Sequence, residues 1–193
     1  FVFALSSFLI CIPLAAYYNF APIFVSGMGI ASPAFKMSFG QMSEVLFMLI
    51  LPLLFARYGV KYILLGGMLA WAVRYALFAL SAPTGITSLV FLGIILHGIC
   101  YDLFFVAGQI YVDKKSTADI RSQAQGFLVL ITYGLGMFIG AQVAGYIYNL
   151  LLKGQTALSV QSWQQFWLVF AVMTTVVIVY FFIGFKDKLN SKE

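Results

Sequence analysis

The chain is built from apolar stretches of about twenty residues or more, separated by short clusters of Gly, Pro, Ser and charge. A helix needs ~20 residues to cross a hydrocarbon core ~30 Å thick. Lipid offers the backbone no hydrogen-bond partners, so only helices and closed barrels span it. A barrel strand alternates apolar and polar residues over ~10 positions, whereas these runs are unbroken. The spans are therefore helices. Composition agrees: 63% of residues are hydrophobic and 9% are charged, against ~25% charged in soluble domains. A soluble globular fold, a disordered chain and a disulfide scaffold are all excluded.

The pattern predicts an all-α membrane protein, one bundle over 1–193 with six transmembrane helices at about 1–27, 37–55, 62–81, 87–112, 123–152 and 165–185. Loop signals fall at 57–61, 82–85, 113–121 and 153–162. The first residue, Phe1, lies inside an apolar run with no basic segment or small-residue cleavage site before it. This reads as a fragment that starts within a membrane helix, with more protein expected upstream. Basic residues set the orientation. One side carries Arg57, Lys61, Lys114, Lys115, Arg121, Lys186, Lys188 and Lys192, and the other only Lys36 and Lys153. Both chain ends are thus expected in the cytoplasm. The net charge of +5 follows from this bias and calls for no nucleic acid partner. Cys11 and Cys100 sit within spans, where a free thiol behaves as a small hydrophobe. With a single histidine, no metal or other cofactor is expected.

Three charged residues fall at membrane depth: Glu44, Arg74 and Asp102. Each costs ~2.5–3.5 kcal/mol near a helix centre on insertion scales. At ~1.5 Å per residue, Glu44 lies ~10 Å and Asp102 ~15 Å into their helices. Such groups must face a polar cavity or the bundle interior. Glu44 is a candidate cargo acceptor or proton carrier, since a carboxyl in a low-dielectric cavity can load and release a proton near neutral pH. The competing reading is an ion pair with Arg74. Gln41 lies one turn earlier on the same face, and an amide beside a carboxyl can both donate and accept. Asp102 is a second candidate carboxyl, with Phe105 one turn away as a stacking surface, or else a partner in a structural hydrogen bond. His97 reads as a packed histidine or a relay member. Gly136 and Gly140 give the small-xxx-small spacing of close helix packing, and Pro13 and Pro52 permit bends. No enzyme constellation is present: the glycines at 134–140 follow no strand, and His97 and Asp102 lack a third partner.

The connection Arg57-Tyr-Gly59-Val-Lys61 resembles the short basic turn between paired helices of the major facilitator superfamily. Three local stretches are more specific: Gln41-Met-Ser-Glu44, Leu69-Ala-Trp71-Ala-Val-Arg74, and Tyr101-Asp102-Leu-Phe-Phe105 leading through Asp113-Lys114 to Arg121-Ser-Gln-Ala-Gln125. In this order they resemble the C-terminal six-helix half of the bacterial nucleoside–proton symporter family, within the major facilitator superfamily. The resemblance implies a twelve-helix transporter whose N-terminal half is missing here. It implies nucleoside uptake with protons across the cytoplasmic (inner) membrane by alternating access, in contact with membrane lipid. Gln41, Glu44, Asp102 and Phe105 match positions lining the family's nucleoside cavity, with Glu44 and Asp102 candidates for proton coupling. Asp113, Arg121 and Gln125 match the family's cytoplasmic loop and helix entry, where gating or structural pairs are expected; Arg57 and Arg74 are further gating or structural candidates. The first helix departs from the family pattern. Ala15 stands where an amide is expected, and Tyr18, with Tyr17 or Asn19, is the candidate substitute. The alternative cargo is another small polar solute, such as a sugar or metabolite.

Overall fold

Residues 1–153 and 160–186 are described by a computed structural model, and five of its helices are long and apolar enough to cross a membrane. They are α1 (Val2–Gly27), α2 (Pro33–Thr84), α3 (Thr87–Lys115), α4 (Arg121–Leu152) and α5 (Val160–Gly184). The count differs from the six expected because the second and third stretches are joined in α2. That helix has 52 residues, or ~78 Å at 1.5 Å per residue, more than twice the ~30 Å of a hydrocarbon core. It is not regular throughout. Gly59 breaks it with φ 71° and ψ 169°, a conformation open to a residue without Cβ. The cluster at 57–61 is therefore a one-residue break rather than a loop.

Other boundaries also shift. α2 continues through Pro83 and stops at Gly85, whose φ of 68° and N–H bond to Ser81 O form a left-handed C-cap. α3 runs on to Lys115, so Lys114 and Lys115 occupy its last turn, where cations suit the helix dipole. α5 starts at Val160, ahead of the expected 165. Of the basic residues used for orientation, Lys188 and Lys192 lie outside the described residues, as do positions 154–159 of the fourth loop.

Helices in lipid associate through packing, small residues and interhelical hydrogen bonds, and all three operate here. α2 packs along α3 and α5, while α1 packs against α4 and α5. An aromatic core joins α1, α2 and α5. Trp167 stacks on Tyr75 at 5.9 Å and meets Phe78 edge-on at 5.0 Å, and Tyr75 donates to Pro13 O at 2.7 Å. Aromatic pairs of this kind contribute ~0.5–1.5 kcal/mol beyond their buried area. The spacing of Gly136 and Gly140 brings α4 onto α1: a Cβ at Gly140 would lie 2.8 Å from Cys11 O.

The tightest helix seam is between α2 and α3. A Cβ added at Gly98 would lie 2.6 Å from Ser43 Oγ and from Glu44 N. The Ser43 hydroxyl accepts from Gly98 N at 3.0 Å, and its own proton lies between Gly40 O and Ile95 O, at 2.6 and 2.8 Å. Gly98→Val should force the seam apart and lower stability by ~1–3 kcal/mol, the usual scale of overpacking. Gly145→Ala, where nothing lies within 4 Å of an added Cβ, should be neutral or slightly stabilising. Thermal unfolding of the two variants in detergent checks the contrast.

Candidate functional site

The Gly98–Ser43 seam fixes what its neighbours do. Glu44 follows Ser43 and His97 precedes Gly98, so backbone contact at the seam brings these side chains together. Glu44 Oε1 lies 2.9 Å from His97 Nε2. On the other edge of the ring, His97 Nδ1 lies 3.1 Å from Arg74 Nη2. The direct Glu44–Arg74 pair considered from sequence is thus replaced by a chain with the imidazole between. His97 and Arg74 are buried, and the Glu44 side chain keeps 22% exposure. Tyr17 holds the assembly from one side: its ring stacks on His97 at 5.3 Å, and the Arg74 guanidinium carbon lies 4.3 Å from its centroid.

An aromatic wall continues from this chain. Tyr18 stands edge-on to His97 and Tyr101 stacks beside it, both at 6.0 Å. Tyr101 adjoins Phe105 at 5.4 Å, and Phe105 adjoins Tyr133 of α4 at 5.5 Å. The Tyr133 hydroxyl donates to the Tyr101 hydroxyl at 2.8 Å. Tyr18 and Tyr133 are each 38% exposed, whereas Phe105 is buried and backed by Trp71. Two of the three helices carrying the wall have π turns beside it, over Asp102–Val106 in α3 and Leu130–Gly136 in α4. Such wide turns recur at functional sites.

Asp102 begins the first π turn and is fully buried; among the described residues neither carboxyl oxygen has a hydrogen-bond partner. Gln41 is exposed, one turn before Glu44. A cavity of about 750 Å³ lies between α2 and α3. Met48, one turn beyond Glu44, and Val106, one turn beyond Asp102, help to line it, and it reaches Gly59 and Lys114.

The remaining candidates do not join this cluster, Arg74 excepted. Arg121 pairs with Asp113 at 3.2 Å, both half-exposed, and ties the end of α3 to the start of α4. Gln125 adds a bond to Gln109 O at 2.8 Å across the same junction. Arg57 lies over the ring of its neighbour Tyr58 at the Gly59 break. Sequence reasoning missed Tyr101, Tyr133 and Ser43. Their signal was faint: hydroxyl-bearing residues one position from a buried acid, or inside the glycine-rich part of α4.

The model of the family described as Nucleoside H+ symporter matches residues 1–190. The chain belongs to this family. It is 38% identical over 193 residues to YegT of Escherichia coli (strain K12), covering 98% of this chain and 45% of that one. It is 34% identical over 168 residues to the nucleoside permease NupG and 33% over 167 to the xanthosine permease, both of E. coli K12, covering 86% of this chain and 39% of each relative. Among solved structures, an aspartate-to-alanine variant of the nucleoside transporter NupG superposes with a TM-score of 0.84 at 30% identity, covering 96% of this chain and 48% of that one. A second NupG structure gives 0.73 at 31% identity, covering 97% and 47%. The chain spans about half the length of the relatives it matches, or less. It is a multi-pass, all-helical membrane protein of the symporter family.

The Tyr101–Tyr133 bond ties the residue ahead of the α3 π turn to the π turn of α4. Interhelical hydrogen bonds in membranes average ~0.6 kcal/mol and reach ~1.7. Tyr101→Phe and Tyr133→Phe should each destabilise the chain on that scale, and the double variant by no more than either alone. A cycle of denaturation measurements in detergent reads this non-additivity.

Proposed function

We propose that this chain is the C-terminal half of a transporter that takes up nucleosides with protons across the bacterial inner membrane. The observation that carries the reading is the Glu44 carboxylate, held by His97 and open to one side, at the edge of a wall of Tyr18, Tyr101 and Tyr133. A nucleoside presents sugar hydroxyls to donate and a flat base to stack. A carboxylate has about four lone-pair sites, of which His97 takes one. The names of NupG and the xanthosine permease support a nucleoside as cargo. Gln41, one turn away and exposed, adds a donor and an acceptor, and buried Phe105 holds the wall from behind.

Asp102 suits proton coupling. An ionised carboxylate sealed without a donor is expensive, so its charge state must follow changes in its surroundings. A cavity running from Val106, one turn beyond Asp102, to Lys114 supports this reading. The Gly59 break and the ~78 Å length of α2 support counting that helix as two spans, six in all. An even number of spans puts both ends on one side, and the basic residues make that side the cytoplasm. Arg57 and the Arg121–Asp113 pair then lie at the cytoplasmic face, as gate or brace.

Proteoliposomes containing the full-length protein test the reading. Glu44→Ala and Glu44→Gln should weaken uptake of labelled uridine and adenosine by about ten- to a hundredfold, the scale of ~1.5–3 kcal/mol for hydrogen bonds to a charged group. Asp102→Asn should keep nucleoside exchange but lose accumulation driven by a proton gradient. Unchanged uptake in both Glu44 variants would overturn the cargo role. Stabilisation of the protein by sugars, with none by nucleosides, would favour the other class of solute.

A further inference from the structure

Arg74 is fully buried, and through His97 it reaches Glu44. Guanidinium nitrogens only donate hydrogen bonds. His97 Nδ1, 3.1 Å from Arg74 Nη2, must therefore be the acceptor. A neutral imidazole that accepts at Nδ1 carries its proton on Nε2. That proton points at Glu44 Oε1, 2.9 Å away. The chain runs one way, from guanidinium to imidazole to carboxylate. A doubly protonated ring would set an N–H against the guanidinium N–H, so this arrangement bars His97 from carrying the proton itself.

The ring is also locked in place. Tyr17 stacks on one face at 5.3 Å and itself lies under the guanidinium. Tyr18 and Tyr101 close in at 6.0 Å. On the backbone side, a Cβ at Gly40 would lie 3.0 Å from His97 Cβ, so the imidazole sits this near α2 only because residue 40 lacks a side chain.

We infer that Arg74 and His97 are positioning residues for Glu44, the buried guanidinium fixing the imidazole tautomer that holds one carboxylate oxygen and leaves the other to the hydroxyls of the cargo. The cargo half of this statement rests on the nucleoside reading; the relay half does not. Arg74 acts without touching the cargo, and its effect is conveyed by His97.

Two measurements on the full-length protein test it. The first is nitrogen NMR of protein labelled with ¹⁵N-histidine, in detergent and without cargo. His97 is the single histidine of these 193 residues, and loss of its signals in His97→Gln identifies them. Nδ1 should appear unprotonated and Nε2 protonated, and Arg74→Met should release this into a mixture of tautomers. A ring protonated on Nδ1 in the unaltered protein, or a tautomer indifferent to Arg74→Met, overturns the relay.

The second is a double-mutant cycle on nucleoside binding. Arg74→Gln should weaken binding about tenfold in the unaltered protein and less than about twofold in a Glu44→Gln background, within the usual range of couplings between residues of one network. His97→Gln, whose amide can still accept and donate, should retain more affinity than His97→Phe. Equal weakening by Arg74→Gln in both backgrounds would make Arg74 merely structural and overturn the inference. If Arg74→Gln fails to fold, the tautomer of the unaltered protein decides the relay. A protein that binds no nucleoside yet shows the Nε2–H tautomer and its dependence on Arg74 refutes the cargo reading and upholds the relay.

Discussion

A guanidinium in the middle of a lipid-embedded bundle cannot shed its charge, so the surrounding helices have to answer it. Arg74 has no exposure, and its Nε and Nη1 have no hydrogen-bond partner among the described residues. It lies against the face of Tyr17, the Nδ1 of His97 and the Cys100 thiol. A cation over a desolvated aromatic face gains ~2 kcal/mol or more, and the imidazole passes the rest of the interaction on to Glu44. Removing one member would leave another buried and unanswered, which costs more than the pair itself returns. The site is therefore a single electrostatic unit shared by α1, both limbs of α2, and α3.

That unit exists because backbones come close enough to let short side chains meet. Gly98 against Ser43, and Gly40 against His97, remove the layer of side chains that normally separates packed helices. Glutamate at 44 then finds histidine at 97 without either bending the bundle. The π turns contribute in the opposite sense. They widen α3 from Asp102 and α4 from Leu130 at the level where Tyr101, Phe105 and Tyr133 form their wall. Close approach at the Gly98 seam and the π turns beside it set Glu44, through His97, next to the aromatic rings.

Much of this was legible in the sequence, and the remainder was hidden for physical reasons. Apolar run length reveals membrane helices directly, because the bilayer imposes one length on all of them. Glu44, Arg74 and Asp102 stood out because charge is rare at that depth. The Gly136–Gly140 spacing also identified a real contact, α4 on α1. Hidden were the relations between helices. Ion pairing between Glu44 and Arg74 was a fair reading of two opposite charges in adjacent stretches, but no periodicity reveals that a histidine 23 residues beyond Arg74 stands between them. The π turns were equally silent, since they leave no composition signature. The break at Gly59 looked like a loop because glycine between Arg57 and Lys61 carries every loop signal, yet one positive φ suffices there.

The two acids of the site differ in access, and in the proposed transport reading that difference assigns their work. Glu44 keeps part of its surface open while His97 satisfies one oxygen. An acid that is both anchored and reachable can exchange water for cargo hydroxyls at little reorganisation cost, as preorganised sites do. Asp102 has neither anchor nor opening in this conformation. It begins a π turn, an element frequent at functional sites. In the proposed transport reading, an anchored Glu44 suits recognition of cargo and an unanchored Asp102, on the facing helix, suits proton coupling.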